Sequence, residues 1–311
     1  MKGVAFIFPG QGTQVLGMGY SLYETNATAR RYFDEANEVL GYDLKKIMWE
    51  GPEERLAEGR YCQPAIYVHQ FILATLKREM LMVAGREVDI ALGLSLGELT
   101  ALALSGVYDF AVGLQLVSTR GQLMQEVSER KRGGMLALLG GSLEEVREVC
   151  SQTGAEMANF NTPSQIVLAG TIESIWEAEK LASSLSFSRV IPLKVSGASH
   201  CSLMEEVRCE FHDYLEKITF KIPKIPVIQN VNTEMSDDPE YIKKSLEDQL
   251  VSPVLWCQSM RKAAALGWTE FYECGAGRTL KGMAKQIDPQ LQVFSLQESE
   301  FVTSDHVSVV A

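Results

Sequence analysis

The chain contains no apolar run near the ~20 residues that cross a bilayer, so no membrane-spanning helix is expected. It has no Cys-x-x-Cys and no His or Cys pairs at metal-ligand spacing, which leaves no metal site to expect. Its six cysteines are scattered and read as reduced core thiols of a cytoplasmic protein. Basic charge is short. The 29 Lys and Arg against 40 Asp and Glu leave a formal charge of −11, which argues against general nucleic-acid binding. The phosphate-loop pattern Gly-x-x-x-x-Gly-Lys and the full Gly-x-Gly-x-x-Gly are both missing, so no nucleotide cofactor is expected. The first apolar stretch is too short for a signal peptide and stops at Pro9-Gly10, so it reads as the first strand of a fold. There is no repeat. Histidine is scarce, at four residues, which makes a short list for proton transfer.

The stretch Ala91-Leu92-Gly93-Leu94-Ser95-Leu96-Gly97-Glu98 organises the rest. Val88 to Leu92 reads as a buried strand, and the residues from Glu98 on are good helix formers. Gly-x-Ser-x-Gly between a strand and a helix is the setting of a nucleophile elbow. Gly93 and Gly97 leave room for the tight turn. Ser95 then sits at a helix N-terminus, where free N–H groups favour an oxyanion. Upstream, Phe8-Pro9-Gly10-Gln11-Gly12 ends a strand in a loop suited to offering the Gln11 N–H to a site. Among the histidines, His69 lies within an apolar helix, His212 in a charged helix and His306 in a polar tail. His200 alone occupies a loop after a strand. The residues by themselves leave it open between a base and a surface histidine, and Arg120 reads as a polar-face helix residue.

Strand and helix patterns alternate along the chain, with strands expected over 189–195 and 225–231 among them, which defines an α/β class. Between residues 133 and 195 the order is βαββαβ, with Ser142 and Glu145 as a capping box, the pattern of a small ferredoxin-like subdomain. It reads as an insert in a larger α/β domain made of residues 1–132 and 196–297. Residues 298–311 read as a loose tail.

Phe8-Pro9-Gly10-Gln11-Gly12, Gly93-Leu94-Ser95-Leu96-Gly97-Glu98, Arg120-Gly121-x-x-Met124, Ser199-His200-x-x-Leu203-Met204 and Gln249-Leu250-x-x-Pro253-Val254 occur in that order. Together they resemble the malonyl-CoA:acyl carrier protein transacylases of fatty-acid and polyketide synthesis, up to about residue 296. The resemblance implies an α/β-hydrolase-like large domain with a central, mostly parallel sheet and a ferredoxin-like insert. It implies Ser95 as nucleophile and His200 as its base, in a dyad without an acid. The backbone N–H groups of Gln11 and Leu96 would form the oxyanion hole, and Arg120 would pair with the acyl carboxylate. Ser199, Asn230 and Gln249 would face the substrate, with backbone carbonyls near Gln249 and Asn230 orienting the histidine. The implied partners are an acyl-CoA and an acyl carrier protein, with no cofactor beyond the coenzyme A thioester and a monomeric chain. Arg130, Lys131 and Arg132 form the densest basic run for an acidic carrier. Two departures stand out. Leu94 replaces the usual histidine of Gly-His-Ser-x-Gly, and Ser199 stands where malonyl-selective members often carry Phe. An editing acyl hydrolase acting on acyl carrier proteins is the alternative; Arg120 speaks against it, because a carboxylate clamp serves only dicarboxylic acyl groups.

Overall fold

The computed structural model describes residues 3–195 and 197–302. In chain order its strands are β1 (Gly3–Phe8), β2 (Val88–Gly93), β3 (Gly133–Leu139), β4 (Glu156–Thr162), β5 (Gln165–Thr171), β6 (Arg189–Pro192), β7 (Val227–Ile228), β8 (Trp268–Glu273) and β9 (Gln292–Ser295). Five of them form one sheet in the order β7-β2-β1-β8-β9, with every pairing parallel. Parallel strands require crossovers that cover both faces, and so β1 is an unbroken apolar run. Val4, Phe6 and Phe8 point to one side, into a core built with helices Gly59–Val83, Leu96–Leu104 and Phe110–Arg130. Ala5 and Ile7 point to the other, against helices Trp256–Ala265 and Thr279–Ile287.

The remaining four strands form the expected second sheet, antiparallel and ordered β4-β5-β3-β6. Helices Leu143–Thr153 and Ile172–Ala182 cover one of its faces. The Ser142–Glu145 capping box forms as expected. On the other face, Met135, Ala137, Ala158, Val167 and Ala169 pack with Ala198 and Cys201, next to His200. The Phe160 N–H donates to the Val254 carbonyl at 2.9 Å, and the Val254 N–H to the Ala158 carbonyl at 2.9 Å. These bonds stitch β4 to the large domain and leave a cleft between the two sheets.

Three local expectations are corrected. The strand expected over 189–195 ends at Pro192. The one expected over 225–231 shrinks to Val227–Ile228, because Pro226 cannot donate to a ladder. The tail expected to be loose from Glu298 is anchored at its start. The Glu298 carboxylate accepts from the Gly19 N–H at 2.7 Å and from the Ser21 hydroxyl, and pairs with His69 at 2.9 Å, while Phe301 is buried. Residues 303–311, including His306, lie outside the described part.

Candidate active site

The elbow forms because backbone passes where no side chain fits. A Cβ on Gly93 would stand 1.9 Å from the Gly97 carbonyl carbon, and one on Gly97 would stand 2.1 Å from the Phe8 oxygen. Ser95, between them, takes φ 53° and ψ −108°, a strained conformation for a residue with a side chain. Asn230 clamps both sides of the turn. Its Oδ1 accepts the Ser95 N–H at 2.7 Å, and its Nδ2 donates to the Gly93 carbonyl at 2.6 Å.

His200 also has a left-handed backbone, with φ 60°. Its Nε2 lies 2.8 Å from Ser95 Oγ, and its Nδ1 lies 2.6 Å from the Gln249 carbonyl. A carbonyl can only accept, so Nδ1 carries the proton and Nε2 presents a lone pair to the serine hydroxyl. Burial, aided by the charge of Arg120, pulls the imidazole down to about 4 and keeps it neutral. Serine and histidine are therefore paired, with a backbone carbonyl where an acid would otherwise stand.

Arg120 does not lie on a polar helix face. It is 2% exposed. One terminal nitrogen donates to Gln63 Oε1 at 2.9 Å, and the other to Gln249 Oε1 at 3.0 Å and to Ser95 Oγ at 3.1 Å. Burial lowers it to about 10, so it stays a cation at neutral pH. Each of these partners is a neutral oxygen. A buried guanidinium beside Ser95, without a carboxylate among its hydrogen-bond partners in the described residues, is poised for an anion from outside.

A cleft of about 640 Å³ opens on this group; Gln11, Leu94, Ser95, Arg120, Ser199 and His200 all face it. Leu96 follows as the first helical residue, its N–H in the first turn, where donors lie outside the helical ladder. Ser199 donates its hydroxyl to Met135 Sδ at 3.4 Å, so it is tied to the insert. Asn230 and Gln249, expected against substrate, are instead buried behind Ser95 and off the cleft wall, where they brace it. The Asn230 carbonyl accepts from Leu255 and does not orient His200. Sequence reasoning missed Gln63, the second holder of Arg120; its signal was a polar side chain before Pro64 in an apolar helix. It also missed Asn159 and Asn161, whose two-residue spacing on β4 brings both to the cleft.

The other described histidines are occupied elsewhere, His69 with Glu298 and His212 with Glu247 at 2.7 Å. Arg130 and Lys131 share Glu206 at 2.7 and 3.3 Å, so the basic run is partly neutralised within the chain. Among the described residues no group of three or more His, Cys, Asp or Glu could hold a metal ion, and no helix is long and apolar enough to cross a membrane.

Fold and site together define an α/β protein in which a serine, a neutral histidine and a buried arginine meet at one cleft. Comparison with known proteins narrows the class. A family model described as an acyl transferase domain matches residues 5–284, and the chain belongs to this acyl transferase family. The malonyl CoA-acyl carrier protein transacylase of Bacillus subtilis is 35% identical over 307 residues, 97% of this chain and 96% of the relative. That of Escherichia coli K12 is 34% identical over 302 residues, 96% of this chain and 97% of the relative. Among solved structures, an acyl carrier protein S-malonyltransferase from Vibrio cholerae superposes with a TM-score of 0.89 at 36% identity, covering 94% of this chain and 96% of that one. A malonyl-transacylase in complex with its type II PKS acyl-carrier protein superposes with a TM-score of 0.90 at 33% identity, covering 94% and 96%.

Proposed function

We propose that this chain moves a malonyl-type acyl group from coenzyme A to the phosphopantetheine thiol of an acyl carrier protein, through an ester on Ser95. Ser95 Oγ attacks the thioester carbonyl while His200 Nε2 takes the hydroxyl proton. The oxyanion faces the N–H groups of Gln11 and Leu96, each such donor worth roughly 3–4 kcal/mol. Collapse expels the coenzyme A sulfur, which receives the proton from His200. The carrier thiol then gives its proton to His200, attacks the ester and restores Ser95. The steps use the chain's own side chains and need no cofactor beyond the thioester substrate.

The observation that carries the malonyl-type substrate is Arg120. Once Ser95 is acylated, its ester oxygen is a poor acceptor, and the Arg120 N–H that it held at 3.1 Å is free for the acyl carboxylate. Two parallel N–H···O bonds then neutralise a charge that the free enzyme leaves without a carboxylate partner. The names of the relatives support the same substrate and carrier. The reading includes a monomeric cytoplasmic enzyme of fatty-acid or polyketide synthesis. It also includes the domain division 1–132 with 196–297 and 133–195.

The test is the malonyl-to-acetyl ratio of kcat/KM. Arg120→Ala is expected to lower it about 100-fold or more, since leaving one partner of a buried ion pair alone costs about 3–5 kcal/mol. Arg120→Lys should recover only part, lacking the planar fork. An unmoved ratio would favour a hydrolase of neutral acyl groups.

The pH profile follows from His200. Its base form is lost only as pH falls through about 4, not near the ordinary histidine value of 6.5. Acylation by acetyl-CoA should therefore hold its kcat/KM down to about pH 5 and fall below it. Arg120→Ala should move that limb to higher pH, because it removes a cation that depresses the imidazole. Stability runs in the same direction: the unfolded chain takes up this proton near 6.5 and the folded one only near 4, so stability present above 6.5 is lost as pH falls between them. A limb near 6.5 in both proteins would contradict this assignment.

A further inference from the structure

Glu98 stands three residues after the nucleophile, fully buried in the first turn of helix Leu96–Leu104, and no step above uses it. Its Oε2 accepts from Gln249 Nε2 at 2.6 Å and from the Asn230 N–H at 3.3 Å, while its Oε1 is buried without a partner among the described residues. Gln249 is a branch point. Its backbone carbonyl holds His200 Nδ1 at 2.6 Å, its Oε1 accepts from Arg120 at 3.0 Å, and its Nε2 also reaches the Ser95 carbonyl at 3.1 Å. The side-chain amide has two orientations that differ by exchange of oxygen and nitrogen. The wrong one would point an NH₂ at the guanidinium, donor against donor, and an oxygen at Glu98 Oε2. An acceptor at Glu98 Oε2 selects the orientation in which Gln249 Oε1 faces Arg120.

We infer that Glu98 is a positioning residue: it fixes the side-chain amide of Gln249 with its oxygen toward the Arg120 guanidinium, and it anchors the residue whose backbone carbonyl holds the His200 imidazole. One carboxyl group beneath the elbow thus governs the acylation rate and the preference for an anionic acyl group. The inference rests on the acyl-transfer reading above and adds a residue to it. Burial pushes the Glu98 carboxyl up to about 8, so at neutral pH its proton occupies the free Oε1 and Oε2 remains an acceptor. A neutral glutamine can present the same acceptor.

The experiment measures single-turnover acylation by malonyl-CoA and by acetyl-CoA, followed by intact mass. It compares wild type, Glu98→Ala, Glu98→Gln and Glu98→Asp, with rates normalised to the plateau of esterified protein. Glu98→Ala is expected to lower the per-site malonyl rate about 100-fold and the malonyl-to-acetyl ratio about tenfold, the scale of an ångström-level misplacement. Glu98→Gln should recover most of both losses. Glu98→Asp keeps a carboxyl but draws it back from Gln249 and should lie between; it serves as the test if Glu98→Ala does not fold. A merely structural role would lower the plateau and the melting temperature while leaving the per-site rate and ratio unchanged, and that result overturns the inference. So does a Glu98→Gln protein as impaired as Glu98→Ala. A wild type that forms no malonyl ester overturns the acyl-transfer reading itself. An Arg120-dependent wild type with indifferent Glu98 variants overturns this inference alone.

Discussion

Ser95→Ala is expected to yield a folded protein that forms no acyl-enzyme, with turnover lower by about 10⁴–10⁶-fold. The fold survives because the elbow does not depend on the hydroxyl. The turn is held by the close backbone approaches at Gly93 and Gly97 and by Asn230 bonding the Ser95 N–H and the Gly93 carbonyl. What disappears is Oγ, which sits 2.8 Å from the base and 3.1 Å from the Arg120 guanidinium. Intact mass after incubation with malonyl-CoA is the measurement, with circular dichroism as the control for folding. A stable malonyl adduct on the alanine protein would move the nucleophile elsewhere.

The second large effect is expected from His200→Ala, again about 10⁴–10⁶-fold in turnover, because nucleophile and base act as a unit. No other described histidine can substitute. His69 is buried against Glu298, and His212 lies on the surface against Glu247. The nearby carboxyl of Glu98 is turned toward Gln249 and Asn230. Unlike Ser95→Ala, this variant keeps the nucleophile, so it should still form the ester slowly over long incubation with malonyl-CoA. The comparison is the acylation rate of His200→Ala against His69→Ala and His212→Ala. A mild loss in the first and a severe loss in either of the others would reassign the base.

Much of this was legible because it depends on short-range pattern. The apolar run of β1 and the alternation of strands with helices announce an α/β fold, and the resemblance added that its sheet is mostly parallel. The glycines around Ser95 announce an elbow, since only they tolerate the backbone approach that the helix makes there. The βαββαβ order from 133 to 195 announces the second sheet through alternating periodicity and a capping box that forms locally. The motif set carried the family resemblance, and with it Ser95 and His200.

Burial of charge and the direction of a hydrogen bond depend on which distant segments meet, and local pattern does not encode that. Arg120 resembles an ordinary helix-face arginine until helices Gly59–Val83 and Phe110–Arg130 pack and bring Gln63 within 2.9 Å of it. Asn230 and Gln249 resemble substrate contacts until the fold places them behind the nucleophile, 135 and 154 residues further along the chain. The start of the C-terminal segment resembles a free tail until Glu298 meets His69 across 229 residues. By itself, then, the sequence determined most of the strands and the elbow, because glycine sterics and side-chain periodicity act within a few residues, while the choice of His200 rested on the resemblance. Tertiary structure alone decided the neutral state of His200, the neutral oxygens that Arg120 bonds and the buried position of Glu98. Desolvation and long-range hydrogen bonding arise only when the two sheets and their helices close around one site.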